Sequence, residues 1–180
     1  MKFNLKLLIL LVIITNLNNH TQGQNYLYIL NDKNIQHAYI ELTEFFENSE
    51  YTVIKDVRGV IIRFYTNDIL KEYQNLSDNT LKKIFKIEYF LAKIKNPVII
   101  EVHTENLPKN KIQNLKNWEI STVIAKQIES NLTLPKGKIE KERVDSVGYG
   151  EFMPSKNTPN NGGKNTGRVD IIVLYNIIGE

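Results

Sequence analysis

Patterns typical of strands alternate with patterns typical of helices along this 180-residue chain. Strands are predicted from apolar runs rich in β-branched residues: "GVIIRFYTN" (59–67), "VIIEVHTE" (98–105), part of "KIEKERVDSVGYGE" (138–151), and "RVDIIVLY" (168–175). Strands that alternate with helices form layered α/β folds. We therefore predict a β-α-β-α-β-β two-layer sandwich, with helices packed on one mixed sheet and the strongly apolar last strand at its centre.

Apolar residues at helical spacing predict three helices. The first lies in "NDKNIQHAYIELTEFF" (31–46), with Asn31 or Asp32 as its cap. The second begins at Ser77 or Asp78 and continues to about Lys95, because Asn96–Pro97 disfavours further helix. The third spans roughly residues 117–131.

The first 23 residues have the layout of a secretory signal peptide. Lys2 and Lys6 precede the apolar run Leu7–Ile14, and small residues follow before Gln24. A membrane-spanning helix needs roughly 20 apolar residues, so the run is short for one. We predict a signal peptide over 1–23, a helical extension over 24–55 and one domain over 56–180, exported to the periplasm or cell envelope. An uncleaved anchor and a buried helix are the alternatives.

The composition argues against several classes of function. The chain contains no cysteine, which excludes disulfides, thiolate metal sites and a lipid-modified N-terminal cysteine. Without residues 1–23 it has 23 − 2 = 21 basic and 20 acidic residues, a balance that gives little support for nucleic-acid binding. Beyond the predicted signal peptide, His37 and His103 are the only histidines, and neither a nucleophile elbow nor a zinc-ligand spacing occurs. We therefore expect no catalysis, cofactor or metal.

One pair of neighbouring elements suggests a ligand site. Glu105 ends a predicted strand, and residues 117–124 ("NWEISTVI") begin a predicted helix. A helix N-terminus offers backbone N–H groups and positive potential, which suit a carboxylate. A carboxylate such as Glu105 beside it could bind an amine, so the pair suits a zwitterionic amino-acid ligand. The alternative is that Asn117 is an ordinary N-cap and Glu105 a loop charge.

Four segments occur in an order that resembles a known family: "VIIEVHTE", "NWEISTVIA", "VDSVGYGEFMP" and "GRVDIIV". The chain resembles the OmpA-like peptidoglycan-binding domain over about residues 56–176. The wording "NWEIS" is closest to the flagellar stator branch of that family, MotB and its relatives. This resemblance implies non-covalent binding of the peptidoglycan stem peptide.

The resemblance also implies a set of binding residues. Glu105 takes the place of the family's acid, which grips the amine of diaminopimelate. Ile124 stands where the family carries an arginine that grips the side-chain carboxylate, and Thr166 and Gly167 replace an asparagine and an arginine before Arg168. The predicted binding residues are Asn67, Thr104, Glu105, Asn117, Ser121, Ile124 and Arg168.

The apolar Ile124 leaves three interpretations open. The domain could have lost wall binding and serve as an envelope scaffold for protein partners. It could bind a wall built on lysine or ornithine, whose side chain has an amine and no second carboxylate. Ile124 could also simply belong to the core, and Lys116 or Lys126 could replace the missing cation. An uncleaved N-terminus would make the protein a MotB-related tether between inner membrane and wall, the one case in which we expect a membrane contact.

Overall fold

The computed structural model describes residues 35–66, 69–71, 75–104, 116–152 and 167–175. The helices are α1 (Ile35–Phe45), α2 (Asp78–Leu91) and α3 (Asn117–Leu132), and a 3-10 turn covers Lys141–Arg143. The main strands are β1 (Tyr51–Asp56), β2 (Gly59–Thr66), β5 (Val98–Thr104), β6 (Val144–Gly150) and β7 (Gly167–Leu174). Two short strands, β3 (Leu70–Lys71) and β4 (Asn75–Leu76), pair with each other.

The five main strands form one mixed sheet in the order β1-β2-β7-β5-β6. Strand β7 lies at its centre and is antiparallel to both neighbours, whereas β5 and β6 are parallel. The predicted α/β class, the mixed sheet and the central position of the last strand are confirmed. Among the described residues, no helix is long and apolar enough to cross a membrane. The predicted signal peptide and the caps Asn31 and Asp32 lie outside the described residues.

Strand β1 was not predicted. It forms an edge of the sheet and pairs with β2 from Tyr51↔Phe64 to Asp56↔Gly59. The tight connection is held by Asp56, whose Oδ1 accepts from the backbone N–H of Arg58 at 3.1 Å and from its Nε at 2.9 Å. The strand spans the predicted boundary between residues 55 and 56, so the sheet takes residues from both sides of it. The domain limits themselves stay a prediction.

Helix α2 begins as predicted and ends earlier. The Ser77 Oγ accepts from the Thr80 N–H at 3.1 Å, which satisfies one of the unpaired donors of the first turn. The helix ends at Leu91, before the expected Lys95. The Asn96 side chain donates to the Leu174 carbonyl at 2.8 Å and thereby ties the segment after the helix to the end of β7.

The helices pack on one face of the sheet. Side chains of a strand alternate between its faces, and on β7 Val169, Ile171 and Val173 enter the hydrophobic core, whereas Arg168 and Asp170 lie on the opposite face. Leu42 of helix α1 and Phe46, the residue directly after it, belong to the same core. The sheet therefore has an apolar face under the helices and a face that carries buried charges.

Replacing Leu42 with alanine tests whether α1 is part of this core. The side chain is 0% exposed, and truncating a buried leucine costs about 2 to 5 kcal/mol through lost burial and a cavity. Ile40→Ala is the control, because Ile40 on the same helix is 45% exposed and should change stability by less than about 0.5 kcal/mol. Urea unfolding followed by circular dichroism measures both. Equal free energies of unfolding for the two variants would show that α1 does not hold the domain together.

Candidate functional site

Four strand ends meet at one edge of the sheet. Gly167, at the start of β7, pairs with Thr66 on one side and with Thr104 on the other, and His103 pairs with Gly150. We call this end of the sheet, where the strands of Thr66, Thr104, Gly150 and Gly167 begin or end, the α3 edge, because the N-terminus of helix α3 packs against it. Asn67 and Glu105 directly follow Thr66 and Thr104 in sequence. Both lie outside the described residues, and their roles stay predictions.

Two buried hydroxyl groups hold the start of α3 against the strand ends. The Thr104 Oγ1 donates to the Asn117 carbonyl at 3.1 Å. The Ser121 Oγ accepts from the Gly150 N–H at 2.9 Å and donates to the Trp118 carbonyl at 2.9 Å. Both side chains are fully buried. Thr104 and Ser121 therefore position the helix terminus against the strand ends.

Glycines allow this close approach of helix and strand. A Cβ atom at Gly148 would lie 2.2 Å from the Thr122 nitrogen and 2.4 Å from the Ser121 carbonyl carbon. Gly150 has a φ of +56°, a conformation that glycine adopts without steric cost, and a Cβ there would lie 2.8 Å from the Trp118 nitrogen. The "GYG" sequence thus seats α3 on β6 and brings the helix terminus to the α3 edge.

The first turn of α3 differs from the alternative in which Asn117 is the N-cap. Lys116 occupies the cap position with extended backbone, φ −76° and ψ 155°, and Asn117 is the first helical residue. A lysine side chain cannot accept a hydrogen bond. The Glu119 Oε2 instead accepts from the Lys116 N–H at 2.7 Å. The Asn117 side chain does not cap the helix and instead donates to the carboxylate of Glu151.

Asp170 is the centre of a buried ion-pair network on the charged face of the sheet. Arg63 binds it in a bidentate manner, with Nε at 2.6 Å and Nη2 at 2.8 Å. The Arg168 Nε lies 3.3 Å from Asp170 Oδ2, and the His103 Nε2 lies 3.9 Å from the same atom. Hydrogen bonding to Asp170 raises the pKa of Arg63. The Arg168 guanidinium and the His103 ring thus lie beside Asp170, and the backbones of both residues lie next to the α3 edge.

The same face contains a group of potential metal ligands. Glu101, His103 and Asp170 have ligand atoms within 4.8 Å of one another. Each carboxylate, however, already carries a guanidinium group: Arg58 Nη1 lies 2.7 Å from Glu101, and Arg63 binds Asp170. With Arg168 nearby, three guanidinium groups face two carboxylates. This donor set does not fit a cation, and the cluster is an ion-pair network.

The remaining predicted residues differ in their burial and in their contacts. Ile124 is fully buried in the hydrophobic core, which matches the interpretation that it is a core residue and leaves no surface for ligand contact. Arg168 is buried beside Asp170. Lys126, one proposed substitute cation, pairs with Glu129 at 2.6 Å. Lys116 lies exposed at the start of α3.

Several residues near the α3 edge were not singled out from the sequence. The Tyr149 ring stacks on His103 with centroids 5.1 Å apart, Glu151 accepts from Asn117, and Trp118 is 46% exposed. Tyr149 and Glu151 belong to the quoted "GYGE" segment, so a signal for them was present. The pair of Arg63 with Asp170 joins residues 107 positions apart, and no local pattern indicates it.

Replacing Asp170 with asparagine tests the network. Removing one partner of a buried ion pair leaves an uncompensated charge, which costs roughly 3 to 5 kcal/mol. Glu140→Gln is the matched control, because it removes the Arg143 pair, in which the Glu140 side chain is 52% exposed, and exposed pairs contribute about 1 kcal/mol or less. Urea unfolding of both variants gives the free energies. A loss for Asp170→Asn no larger than for the control would contradict the role of Asp170.

Comparison with known proteins supports the assignment of the fold. No family model matches the sequence, and the search of curated proteins finds no match. Among solved structures, a MotB-like protein from Desulfovibrio vulgaris aligns with a TM-score of 0.63 at 16% identity, over 78% of this chain and 92% of its own. The cell wall anchor of the T6SS from Pseudomonas aeruginosa aligns with a TM-score of 0.56 at 16% identity, over 74% and 96%.

An outer membrane protein from Borrelia burgdorferi B31 is similar at 26% identity, with a TM-score of 0.50, over 69% of this chain and 96% of its own. These likenesses agree with the segments "VIIEVHTE", "NWEISTVIA" and "VDSVGYGEFMP", whose described residues (98–104, 117–125 and 144–152) form β5, the start of α3, and β6 with the turn after it. The protein has the OmpA-like fold, as the resemblance in its sequence predicted.

Proposed function

We propose that this protein is exported to the cell envelope and binds peptidoglycan non-covalently at the α3 edge, without catalysis. The observation that carries the proposal is the register of the sheet. Gly167 pairs with both Thr66 and Thr104, so Asn67 and Glu105 continue from two strand ends at the place where α3 begins. One structural neighbour is described as a cell wall anchor, which agrees with this proposal.

Recognition of the stem peptide is divided between Glu105 and the helix terminus. The carboxylate of Glu105 binds the amine of the diamino acid. The N–H groups of Glu119 and Ile120 both donate to the Lys116 carbonyl, at 3.0 and 3.1 Å. No described residue accepts from the N–H groups of Asn117 or Trp118. These two groups, at the positive end of the helix, are suited to a ligand carboxylate.

The other predicted residues have supporting roles. Thr104 and Ser121 hold the helix terminus in place through their buried hydroxyls. Asn67 lines the site from the end of β2. Arg168, held by Asp170, supplies positive potential beside the start of β7. Positive potential here suits the ligand carboxylate that the helix terminus is proposed to bind.

The type of wall follows from the missing arginine. Ile124 is in the core, so position 124 supplies no guanidinium group for a second carboxylate. A lysine or ornithine side chain has a single amine for Glu105 and needs no such partner. We therefore favour a wall of that type. Binding of diaminopimelate would require Lys116, because Lys126 already pairs with Glu129.

A second candidate function is an envelope scaffold that binds protein partners. It is favoured by one observation: Ile124 and Arg168 are both buried, so the residues at two of the family's charged positions are not presented at the surface. Such a protein would have the OmpA-like fold without wall affinity. Wall binding by the purified chain separates the two candidates.

Replacing Glu105 with glutamine tests the proposed amine contact. A charge-assisted hydrogen bond of this kind is worth about ten- to a hundredfold in affinity. We expect the variant to lose that affinity for insoluble sacculi in a co-sedimentation assay. Glu142→Gln is the control, because Glu142 is exposed on the 3-10 turn before β6, at the far end of that strand from the α3 edge. The role of Glu105 would be refuted if both variants pelleted with sacculi as strongly as the wild type does.

Sacculi of two chemical types test the wall preference. The same assay is run with diaminopimelate-type and with lysine- or ornithine-type sacculi. We expect stronger pelleting with the second type. A lysine or ornithine side chain carries no second carboxylate, so none would lack a partner at position 124. Stronger pelleting with the first type, lost on Lys116→Gln, would instead show that Lys116 replaces the arginine. Pelleting with neither would favour the scaffold.

A further inference from the structure

A polar pocket lies away from the α3 edge, between β1 and α2. It has a volume of about 390 Å³. Its described lining residues come from the two positions before β1, the start of β1 and one face of the first three turns of α2: Ser49, Glu50, Tyr51, Asn79, Lys82, Lys83 and Lys86. We call it the lysine pocket. Three of the seven lining residues are lysines and one is acidic, so the pocket carries an excess of two positive charges.

The single carboxylate of the pocket is already paired. The Lys83 Nζ lies 2.7 Å from Glu50 Oε2 and donates to the Tyr65 carbonyl at 2.7 Å. Lys83 is 4% exposed, and its ammonium also lies 5.6 Å from the centre of the Phe64 ring. Glu50 and Lys83 therefore neutralise each other. The remaining charge of the pocket belongs to Lys82 and Lys86.

Lys86 is held at the wall of the pocket by aromatic rings. Its Nζ lies 5.4 Å from the centre of the Tyr51 ring, 5.6 Å from that of Phe46 and 5.9 Å from that of Phe45. Cation–π attraction favours the charged ammonium in this position. Among the described residues, no carboxylate pairs with Lys82 or Lys86. The pocket thus holds an ordered cation without a counter-charge.

These observations point to an anionic ligand, and the donor types indicate its chemistry. No arginine is among the described lining residues, so an anion bound here is held by ammonium groups as point charges and not by a guanidinium fork. Lysine binds phosphate as a point charge, and Lys82, Lys86 and the Asn79 amide could each approach a different oxygen of a tetrahedral group. We propose that the lysine pocket binds a phosphate-bearing ligand through Lys82, Lys86 and Asn79.

The surface around the pocket suggests two sources for that phosphate. Phe85 and Tyr89 are 47% and 53% exposed on the same side of α2 as Lys82, a combination of aromatic and basic residues that suits a phospholipid headgroup at a membrane surface. Glu44 and Glu47 are exposed at the end of α1 and just after it, and they would oppose a flat anionic surface. A soluble phosphate would avoid that repulsion. The experiment therefore has an arm for each source.

The first arm titrates the full chain with inorganic phosphate and follows the heat of binding by calorimetry. We expect saturable binding that weakens by roughly a hundredfold or more in the double variant Lys82→Gln/Lys86→Gln, because two charge-assisted hydrogen bonds are lost. The matched control is Lys136→Gln/Lys141→Gln, which removes the same charge from exposed lysines outside the pocket. The proposal is overturned if the wild type shows neither saturable phosphate binding nor flotation that requires phosphatidylglycerol, or if the two double variants behave equally in both assays.

The second arm measures flotation with phosphatidylcholine vesicles, with and without phosphatidylglycerol. Flotation that requires phosphatidylglycerol and is lost in Lys82→Gln/Lys86→Gln identifies a lipid headgroup as the source. Phosphate binding without that dependence identifies a soluble phosphate, and either result supports the pocket. Glu105→Gln should leave phosphate binding unchanged, and Lys82→Gln/Lys86→Gln should leave sacculus pelleting unchanged. Failure of one proposal can therefore be told apart from failure of the other.

Discussion

The pairing of β7 with both of its neighbours is the interaction on which the rest of the domain depends. The strand comes late in the chain and inserts between β2 and β5, to which it is hydrogen-bonded along its whole length. Every residue from Gly167 to Val173 is buried. Without β7 the β1–β2 hairpin and the β5–β6 pair would be two separate pieces of sheet. The core under the helices and the α3 edge both require this strand.

The alternation of side chains along β7 makes one face of the sheet apolar and the other charged. On the helix face, Val169, Ile171 and Val173 contribute apolar burial. On the other face, Asp170 is buried among Arg63, Arg168 and His103, where an unpaired charge would be costly. The bidentate contact with Arg63 orders the Asp170 side chain. Arg168 lies beside this carboxylate on the same strand.

The two proposed sites use positive charge in different ways. At the α3 edge the helix terminus is brought into place by close backbone packing, which Gly148 and Gly150 permit, and its N–H groups supply partial charges. In the lysine pocket the charges are whole ammonium groups, held by aromatic rings and by the pair of Lys83 with Glu50. The first arrangement is suited to a zwitterionic peptide, and the second to a compact anion. The pocket lies between β1 and α2 and shares no residue with the α3 edge, so the domain can present both at once.

The sequence by itself determined the α/β class, the three helices, the central last strand and the start of α2, with Ser77 or Asp78 as its cap. Periodicity, capping and β-branched runs are local properties, and the ordered segments added the OmpA-like fold. Strand β1 was not predicted from the sequence, because its six residues become a strand through pairing with β2. Only the tertiary structure decided that Lys116 and not Asn117 occupies the cap position of α3, and that Ile124 is a core residue. It also decided that Thr104 and Ser121 position the helix terminus. Those outcomes, like the pairing of Arg63 with Asp170, depend on residues that are distant in sequence and meet only once the sheet has formed.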